Sequence, residues 1–556
     1  MLRIGTRASA LAMVQARLVA DGLALVGVTA RLEQIVTEGD RRSPDTPWGE
    51  GAFVTAIEQG LLDGSVDLAV HSAKDVPTDE DPRLRIAAYL ERGAPEDVLV
   101  LPDGRQLGSL DDLPRGARVG TDSPRRTAFL RACRPDLVVH PLHGNVDTRL
   151  RRLDAGETDA LVLARAGLMR LGRPDRISLV VPTEVMPPAP GQGALAVQVR
   201  SDDTATAELV ARLDDAATRR AVTAERRLLA ASGGGCRAPL GALARVTGEG
   251  LSVHAGYATS DGAIVAHGSA VSVTETGDAA AILAALEGVA DAAVATANAL
   301  GWPRVIVTRA RAGSAATRLA LVDRGLAPVS VPTIAIEPEP EAVLDEVVRS
   351  ISDSDWVVIS SVNAVDALVA AAARADVDLG AMAGPRWAAV GPSVSRALRA
   401  AGVVVTIRPS SATSAALAEA IPLTRGARVL IPRGDLADGA LPDRLVTLGA
   451  IVRSVVVYRT VEAPPTSRVA MAAALRGGPA AVLASSGSTV RGWLRLATAI
   501  GQVAGARHIP VVAIGPSTAS AARDLGLSVI AVASSPESGV VAETAADAIR
   551  ALQESA

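Results

Sequence analysis

The chain is nearly without lysine. Of its 56 basic residues only Lys74 is a lysine, and the others are arginines. Lysine is a compact ammonium on a flexible stem, whereas arginine is a broad, permanently charged fork. Because arginine has been used everywhere else, we expect the position of Lys74 to be tight, buried and functional.

Aromatic residues are also scarce, at 2% of the 556 residues. Hydrophobic residues nevertheless make up 49%, so the cores must be built from Ala, Val, Leu and Ile. A chain of this length exceeds what one hydrophobic core supports. The composition therefore predicts several globular domains.

Other absences narrow the class of protein. Two cysteines, Cys133 and Cys236, give no disulfide framework, and we interpret Cys133 as structural. The N-terminus shows no signal peptide, and no uninterrupted apolar stretch is long enough to span a bilayer. A net charge of −4 without long charge runs argues against general nucleic-acid binding. We expect a cytoplasmic monomer without membrane or nucleic-acid partners.

Lys74 lies in the segment 71–77, which reads HSAKDVP. An apolar run at 66–70 precedes it and is typical of a buried strand. Because α/β proteins bind ligands where strands end, Lys74 and Asp75 are candidates for ligand chemistry. The alternative is a structural surface pair, although such pairs contribute little and tolerate arginine.

A second candidate anion site lies near the N-terminus. A strand at 2–4 is followed by Arg7, Ser9 and apolar residues at helical spacing. Ser9 is a natural N-cap, and Arg7 with the free N–H groups of the first turn suits a carboxylate. An ordinary capped helix with a solvated arginine is the alternative.

A glycine loop at 48–52 leads to Phe53, one of two phenylalanines in the chain. Its flat ring is able to stack on a planar ligand, although core packing is the default interpretation.

Two further strand ends carry cations. Ser123, Arg125 and Arg126 follow a strand at 117–119, and hydroxyls with paired guanidiniums at a helix start suit carboxylate or phosphate groups. After the strand at 137–141, a turn beginning at His143 leads into a helix that carries Arg149. A rigid loop at 187–193, which contains Gln192, then leads into a strand at 194–199 that we interpret as the return crossing to the first domain.

The pattern changes near Thr218. A helix at 219–231 ends in three glycines before Cys236, and antiparallel strands and an Ala-rich helix at 279–300 follow. A lone cysteine is more often a small core residue. The glycines favour an exposed, mobile thiol instead.

Residues 302–556 contain an internal repeat at an offset of 124 or 125 residues. Ser360 and Ser361 correspond to Ser485 and Ser486, and the segment 389–393 corresponds to 513–517. Two copies of a similar α/β domain are predicted, with hydroxyls at their strand ends facing a cleft. Helix capping alone would equally explain any single hydroxyl. No metal cluster, dinucleotide fingerprint or nucleophile–base pair is visible in the sequence.

The first 300 residues resemble the hydroxymethylbilane synthases, also called porphobilinogen deaminases. The matching segments occur in family order, and the ordered set is specific although each segment is weak alone. They are 6–9 (TRAS), 71–77 (HSAKDVP), 120–121 with 125–126 (GT, RR), 144–149 (GNVDTR), 191–194 (GQGA) and 234–236 (GGC).

The resemblance implies the chemistry. Cys236 would carry a dipyrromethane cofactor through a thioether. Porphobilinogen would lose ammonia to give an azafulvenium cation, which the cofactor's free α-position attacks, and four rounds would build a linear tetrapyrrole that hydrolysis releases. Asp75 would be the catalytic carboxylate, stabilising positive charge near the pyrrole nitrogens and helping to move protons.

The resemblance also assigns binding roles. The groups that would hold the cofactor, together with Asp75, are Lys74, Ser123, Arg125 and Arg126. The groups that would hold the incoming pyrrole are Arg7, Ser9, Phe53, His143, Arg149 and Gln192.

Three residues depart from the family pattern and lower the positive potential. Glu50 stands where many relatives carry Lys, His143 where an Arg usually precedes Gly-Asn, and Asp122 where Ser is usual. Nearby carboxylates would restore charge to His143 by raising its pKa. Otherwise we expect weaker substrate binding, which His143→Arg would improve.

Residues 302–556 resemble the uroporphyrinogen-III synthases. The matching features are 307–309, 360–365, 390–392, 430–435, Tyr458 and 514–518. The resemblance implies cyclisation with inversion of the last ring, achieved mostly by holding the substrate in a folded shape. The candidate substrate contacts are Ser361, Asn363, Arg433, Tyr458, Ser485 and Thr518.

The two resemblances together predict an α/β multidomain fold. In the first half, 1–94 with 191–212 and 95–190 would form two doubly wound, periplasmic-binding-protein-like domains, and 213–300 a small α+β domain that carries the cofactor. In the second half, 304–336 with 462–556 and 337–461 would form two similar α/β domains joined by a β-ladder.

The chain is therefore interpreted as a bifunctional enzyme of heme biosynthesis, a transferase followed by a lyase, without a metal. Its partners would be the small molecules porphobilinogen and hydroxymethylbilane. One alternative keeps the deaminase and makes the second half an inactive module. The other is a two-lobed anion-binding protein, which usually carries an export signal and does not need Cys236 on a glycine loop.

Overall fold

The computed structural model describes residues 1–36, 54–102, 104–235, 238–248, 250–309, 313–382, 384–411 and 413–554. The predictions made for Glu50, Phe53 and Cys236 lie outside the described residues. The described chain is a mixed α/β multidomain protein with five sheets.

Strands and helices alternate along most of the chain. The strands are β1 (Leu2–Thr6), β2 (Ala30–Gln34), β3 (Leu68–Ser72), β4 (Leu84–Tyr89), β5 (Asp97–Val100), β6 (Arg118–Gly120), β7 (Val138–His140), β8 (Ala160–Ala164), β9 (Leu179–Val180), β10 (Leu195–Arg200), β11 (Leu240–Thr247), β12 (Gly250–Ala258), β13 (Val265–Ser272), β14 (Arg304–Val307), β15 (Ala327–Ser330), β16 (Ile334–Pro338), β17 (Trp356–Ile359), β18 (Arg386–Ala389), β19 (Val405–Ile407), β20 (Arg428–Gly434), β21 (Ile451–Glu462), β22 (Ala481–Ala484), β23 (Val511–Ala513) and β24 (Val529–Val532). The helices are α1 (Ala10–Leu25), α2 (Thr55–Leu62), α3 (Pro124–Cys133), α4 (Val146–Asp154), α5 (Arg165–Arg170), α6 (Thr204–Ala211), α7 (Ala216–Ala231), α8 (Asp278–Ala299), α9 (Ala315–Asp323), α10 (Glu341–Ile351), α11 (Val362–Arg374), α12 (Pro392–Ala400), α13 (Ser414–Ala420), α14 (Ala440–Thr447), α15 (Arg468–Arg476), α16 (Gly487–Ala499), α17 (Val503–His508), α18 (Pro516–Asp524) and α19 (Ser538–Glu554).

The first 212 residues contain two mixed sheets. The first has the order β2-β1-β3-β10-β4, in which β10 runs antiparallel to β3 and β4. The second has the order β7-β6-β8-β5-β9, with β5 antiparallel to β8. Strand β10 thus returns to the first sheet after the chain has built the second, and the two sheets are connected twice.

A third, antiparallel sheet of β11, β12 and β13 packs against helices α7 and α8. Helix α7 begins at Ala216, three residues before the predicted start, because the Asp215 carboxylate accepts a hydrogen bond from the Thr218 N–H at 2.7 Å and caps the helix.

One helical segment, Glu275–Ala299, is long and apolar enough to cross a membrane by length and composition, with a mean hydropathy of 1.6. The sequence prediction concerned an uninterrupted apolar stretch, and Glu287 and Asp291 interrupt this helix. The segment is apolar because it is rich in alanine, and one face of α8 packs on β13. A Cβ added at Gly268 of β13 would lie 2.2 Å from the Ala285 carbonyl oxygen of α8, so the helix rests directly on the strand backbone.

The remaining two sheets are mainly parallel. The order β15-β14-β22-β23-β24 unites strands from both ends of the second half, and β16-β21-β20-β17-β18-β19 uses the middle. Only β16 is antiparallel to its neighbour, pairing with β21 from Ile334–Glu462 to Pro338–Tyr458.

The two halves of the chain share a hydrophobic core. One cluster joins α7, α8 and the β11–β13 sheet to α9, which belongs to the second half. Arg318 of α9, only 3% exposed, forms ion pairs with Glu287 and Asp291 of α8. The Tyr257 hydroxyl also donates to the Leu319 carbonyl at 3.1 Å. These contacts fix α9 against the first half.

Cys133 is the last residue of α3 and is exposed, with no disulfide. The interpretation of Cys133 as structural stays a prediction, although its exposed position leaves the side chain little packing to contribute.

Candidate functional site

A cleft of about 220 Å³ lies where strands of the first two sheets end. Among the described residues, five cations from different parts of the chain and one carboxylate supply its charged lining. The charged residues that line it are Arg7, Lys74, Asp75, Arg126, Arg149 and Arg170. Five cations around one carboxylate make a site for a ligand with several negative groups.

Strand β3 delivers Lys74 and Asp75 to this cleft. The strand is buried along most of its length and ends in a 3₁₀ turn, Ala73–Asp75. From behind, the Arg226 guanidinium donates to the carbonyls of Ala73, Val76 and Pro77 at 3.2, 2.8 and 2.8 Å. The turn that carries both candidate residues is therefore held from two sides.

Lys74 is half-buried, and its Nζ donates to the Gln192 side-chain oxygen at 3.2 Å. Burial, with a smaller contribution from the Arg126 guanidinium, lowers the pKa of Lys74 to about 8. Gln192 also donates to Asp97 at 3.0 Å, so it links the lysine to a buried carboxylate.

Asp75 is exposed within the cleft. Within the described ranges its carboxylate makes no hydrogen bond or salt bridge, although Lys74 and Arg149 are close enough to interact with it electrostatically. A carboxylate left without a fixed partner, beside cations, is available to a ligand.

The buried Asp97 organises the two neighbouring arginines. Arg125 and Arg126 each contact one of its oxygens at 2.7 Å. Burial alone would raise the pKa of Asp97, but the two guanidiniums outweigh it and hold that pKa well below its usual range. Arg125 also donates to the Pro187 carbonyl at 2.7 Å, and of the two arginines it is Arg126 that lines the cleft.

Two hydroxyls among the predicted ligands cap helices. The Ser9 side chain accepts from the Ala12 N–H and caps α1, and the Ser123 side chain accepts from the Arg126 N–H and caps α3, both at 3.4 Å. Capping places Ser9 in the cleft lining beside Arg7. The prediction that both hydroxyls bind ligand stays a prediction.

Arg149 projects into the cleft from α4, which begins with Asn145 as its cap. Its Nε donates to the Gly144 carbonyl at 2.8 Å. Burial and the nearby Arg126 lower the pKa of Arg149 to about 10, so it remains a cation at neutral pH.

Two of the three departures from the family pattern contact each other. His143 Nδ1 is hydrogen-bonded to a carboxylate oxygen of Asp122. The two departures therefore act at one place, and a change at either residue alters the surroundings of the other.

Sequence reasoning missed three residues of this region. Asp97 is the shared partner of the arginines, Arg170 lines the cleft from α5, and the fully buried Glu225 of α7 binds Arg92 through two hydrogen bonds. Arg170 carries no sequence signal beyond being one of many arginines. Asp97, inside an apolar strand, is a signal that was available, because a buried carboxylate needs a cation.

In the second half, the structure brings together some of the candidate residues. The Ser361 hydroxyl lies 2.9 Å from the Tyr458 hydroxyl, and the Ser361 side chain also accepts from the Asn363 N–H as the cap of α11. Gly434 allows this arrangement, because a Cβ there would lie 2.5 Å from the Tyr458 ring.

The other candidates of that half are more constrained. Arg433 donates to the Ser454 hydroxyl and to the carbonyls of Gly434 and Ala437. Ser485 follows β22 of the other sheet, and Thr518 is buried in α18. The structure places these two with a different sheet from Ser361 and Tyr458.

Comparison with protein families assigns both halves. Residues 2–208 match the dipyrromethane-cofactor-binding domain of porphobilinogen deaminase, and residues 219–285 match the C-terminal domain of that enzyme. Residues 315–542 match the uroporphyrinogen-III synthase family HemD.

Curated relatives cover the first half. A porphobilinogen deaminase from Mycolicibacterium gilvum is 48% identical over 282 residues, which span 49% of this chain and 89% of the relative. A porphobilinogen deaminase from Mycobacterium marinum is 52% identical over 247 residues, 44% of this chain and 78% of the relative.

Among solved structures, a mutant uroporphyrinogen III synthase from Thermus thermophilus aligns with 45% of this chain and 99% of its own, at 22% identity and a TM-score of 0.35. A uroporphyrinogen-III synthetase from Helicobacter pylori covers 44% and 99%, at 13% identity and a TM-score of 0.30.

The matched segments follow one another along the sequence without overlap. The chain belongs to the porphobilinogen deaminase family and carries a uroporphyrinogen-III synthase domain behind its deaminase domains.

Proposed function

We propose that the chain carries out two consecutive reactions of heme biosynthesis, and that the cleft around Asp75 carries out the first of them. In the first reaction four molecules of porphobilinogen are condensed into hydroxymethylbilane and ammonia is released. In the second the bilane is cyclised to uroporphyrinogen III with inversion of its last ring. The observation that carries the proposal is Asp75, a carboxylate without a hydrogen bond or salt bridge to any described residue, among five described cations at a strand end.

The donor set of the cleft fits the dipyrromethane cofactor. Dipyrromethane presents several carboxylates, and Lys74 and Arg126 offer an ammonium and a guanidinium on the same side as Asp75. When bound through Cys236, the cofactor supplies the carbon nucleophile that starts the chain. The side chains that would hold its carboxylates are Lys74, Ser123 and Arg126, with Arg125 fixing Arg126 through Asp97.

Asp75 acts on the pyrrole nitrogens. An exposed carboxylate in a mostly cationic cleft is the group that stabilises positive charge developing on the incoming pyrrole when ammonia leaves. The same oxygen can accept the proton released from the ring carbon after the new bond forms.

The arginines orient and retain the growing product. Arg7, Arg149 and Arg170 line the cleft from three separate parts of the chain, and the guanidinium group is a permanent cation at neutral pH. Each added pyrrole brings two more carboxylates, so a ring of guanidiniums holds the chain as it lengthens. Ser9 adds a hydroxyl to this ring. Gln192 is fully buried and acts through Lys74, from which it accepts a hydrogen bond.

In the second half, the contact between Ser361 and Tyr458 is the proposed centre of substrate binding. Two hydroxyls at 2.9 Å, at the start of α11 and on β21, can donate to carboxylates of a folded bilane. Cyclisation then needs the two ends of the substrate to be held close together more than it needs an acid or a base. In this proposal four further residues make secondary contacts with the substrate: Asn363, Arg433, Ser485 and Thr518.

The sheets support a division into five domains. We propose two periplasmic-binding-protein-like domains, 1–94 with 191–212 and 95–190, because each range contains one mixed five-stranded sheet. The range 213–300 contains the antiparallel sheet, and the second half divides into 304–336 with 462–556 and 337–461. The antiparallel pair of β16 and β21 would be the connecting β-ladder.

The test is the behaviour of Asp75→Asn in the purified protein. We expect the rate of porphobilinogen consumption to fall by about 10²–10⁴-fold, the range expected for loss of a positioned acid–base group. Asp202→Asn, which changes an exposed loop carboxylate, should keep the wild-type rate. Intact-mass spectrometry should still find the cofactor on Cys236 in both variants. A wild-type rate for Asp75→Asn, or a wild-type protein without added mass on Cys236, would refute the proposal.

A further inference from the structure

A second arginine-rich cavity lies between the two halves of the chain. It encloses about 320 Å³, and both halves contribute to its lining. The basic residues that line it are Arg219, Arg226, Arg227, Arg396 and Arg399, and the one carboxylate is Glu80. It shares no lining residue with the cleft around Asp75.

The positive charge of this cavity is only partly neutralised. Arg226 pairs with Glu80 at 2.6 Å, and Arg399 contacts Asp79 at 3.4 Å. Arg227 and Arg396 form no salt bridge with any described residue, Arg227 donating to the Ala400 carbonyl and Arg396 only weakly to the Ser393 hydroxyl. Both residues are exposed, so their guanidiniums are solvated and accessible to a negatively charged ligand.

The rest of the lining is mixed. Ile86, Tyr89, Ala230 and Ala400 contribute apolar surface, and Thr78 and Thr223 contribute hydroxyls. A volume of about 320 Å³ is at the lower end of the range of about 300–1,000 Å³ for small-molecule sites. The cavity therefore suits one edge of a flat, partly apolar molecule that bears carboxylates. It is larger than a small hydrated ion would need.

The cavity contacts the segment that presents Asp75. Arg226, which lines it, holds the carbonyls of the turn that carries Asp75. Arg399 donates to the Glu80 carbonyl at 2.6 Å, a few residues after that turn. From the second half, Arg396 and Arg399 reach the cavity from the middle and the C-terminal end of α12.

We propose that this cavity is a second binding site for a uroporphyrinogen-type polycarboxylate, which it holds by one carboxylate-bearing edge through Arg227 and Arg396. The proposal rests on the proposed function, which supplies such molecules on both sides of the interface. Two sources share this chemistry, the open-chain intermediate in passage and the cyclic product. Occupation of the site changes the charge around Arg226 and Arg399 and so acts on the segment 73–80.

Hydrogen–deuterium exchange of the holoprotein tests the site with uroporphyrin III, the stable oxidised form of the product. We expect at least threefold slower exchange in the loop after the Asp75 turn, residues 76–82, and around the end of α12, residues 394–402. The double variant Arg227→Ala/Arg396→Ala should lose most of this effect. Arg476→Ala, which removes an exposed arginine at the end of another helix of the same half, should keep it.

Three results would overturn the proposal. The first is no slowing of exchange in the wild type, and the second is slowing that survives in the double variant. The third is equal slowing by citrate at the same carboxylate concentration, which would mean a site for small anions only.

Product analysis separates the two sources. A larger share of uroporphyrin I from the double variant means that the site holds the open intermediate, whereas an unchanged share with lost slowing means that it holds the cyclic product. If the wild type makes no porphyrin, the proposed function fails while the exchange experiment still reports on the site.

Discussion

At the scale of single residues, charge type and burial decide how the first cleft works. The sequence predicted that Lys74 occupies a tight position, and the side chain is half-buried against Gln192. The prediction succeeded because one lysine among so many arginines is a signal in composition alone. A carboxylate in an apolar strand indicated that Asp97 needs a cation, but not which one, because Arg125 and Arg126 lie about thirty positions away.

Lys74 gives the cleft a pH dependence. The unfolded chain keeps this proton up to the ordinary pKa of 10.5, whereas the folded chain releases it near the lowered pKa of about 8. Burial of the charged ammonium group therefore lowers the free energy of unfolding below pH 8. This loss disappears as the pH rises from about 8 towards 10.5. A bound carboxylate would favour the charged form, so we expect binding of carboxylate ligands to weaken as the pH rises through about 8.

Calorimetry of porphobilinogen binding to the cofactor-free variant Cys236→Ser measures this effect. Its affinity should fall several-fold between pH 7 and 9, and the fall should be absent from Cys236→Ser/Lys74→Arg, in which the cation is permanent. The same fall in both proteins would mean that another group titrates.

Asp122 and His143 form a second residue-scale case. From the sequence alone, His143→Arg was expected to strengthen substrate binding. Because the two side chains contact each other, a new arginine would pair with Asp122 and gain little. We expect Asp122→Ser/His143→Arg to lower the KM for porphobilinogen by more than the product of the two single effects. A double-mutant cycle on KM checks this, and simple additivity would show that the pair is not coupled.

At the scale of elements, local pattern predicted which segments form strands and helices, and long-range contacts decided their ends and order. The strand expected at 66–70 is observed at Leu68–Ser72, since Asp67 precedes it and binds the Arg3 guanidinium at 2.6 Å. Helix α7 begins early because Asp215 caps it. The insertion of β10 between β3 and β4 depends on contacts more than a hundred residues apart, which periodicity does not encode.

Helix α7 joins several elements through one buried group, Glu225. Its carboxylate accepts from Arg92 at 2.6 and 3.0 Å and from the backbone N–H groups of Gly191 and Ala244 at 2.7 and 2.8 Å. Removing its charge leaves Arg92 without its buried partner. We expect Glu225→Gln to destabilise the first half by about 3–5 kcal/mol, the typical cost of breaking a buried ion pair.

This loss is measured by thermal unfolding, with amide hydrogen exchange in the first 300 residues as the probe. Glu208→Gln, an exposed change on α6, serves as the control and should have no effect. A Glu225→Gln protein as stable as the control would show that the four hydrogen bonds are not worth more than those of a neutral amide.

At the scale of the whole molecule, the two enzymes are packed together as well as linked in sequence. The shared core around α8 and α9, the buried Arg318 and the arginine-rich cavity all lie between the halves. The order of the two domains was predictable from motifs, because each family keeps its motifs in order. The contacts between the halves were not predictable, since the surfaces that meet carry no motif of either family.

The central claim is that one chain performs both reactions, and the isomer ratio of its porphyrin product tests this most directly. The purified protein is incubated with porphobilinogen as the sole substrate, the products are oxidised, and uroporphyrins I and III are separated by chromatography. We predict that isomer III predominates, because the bilane made by the first half is cyclised by the second before it closes spontaneously. Isomer I alone would contradict the account, since it would mean that the open bilane is released and that the second half does not act on it.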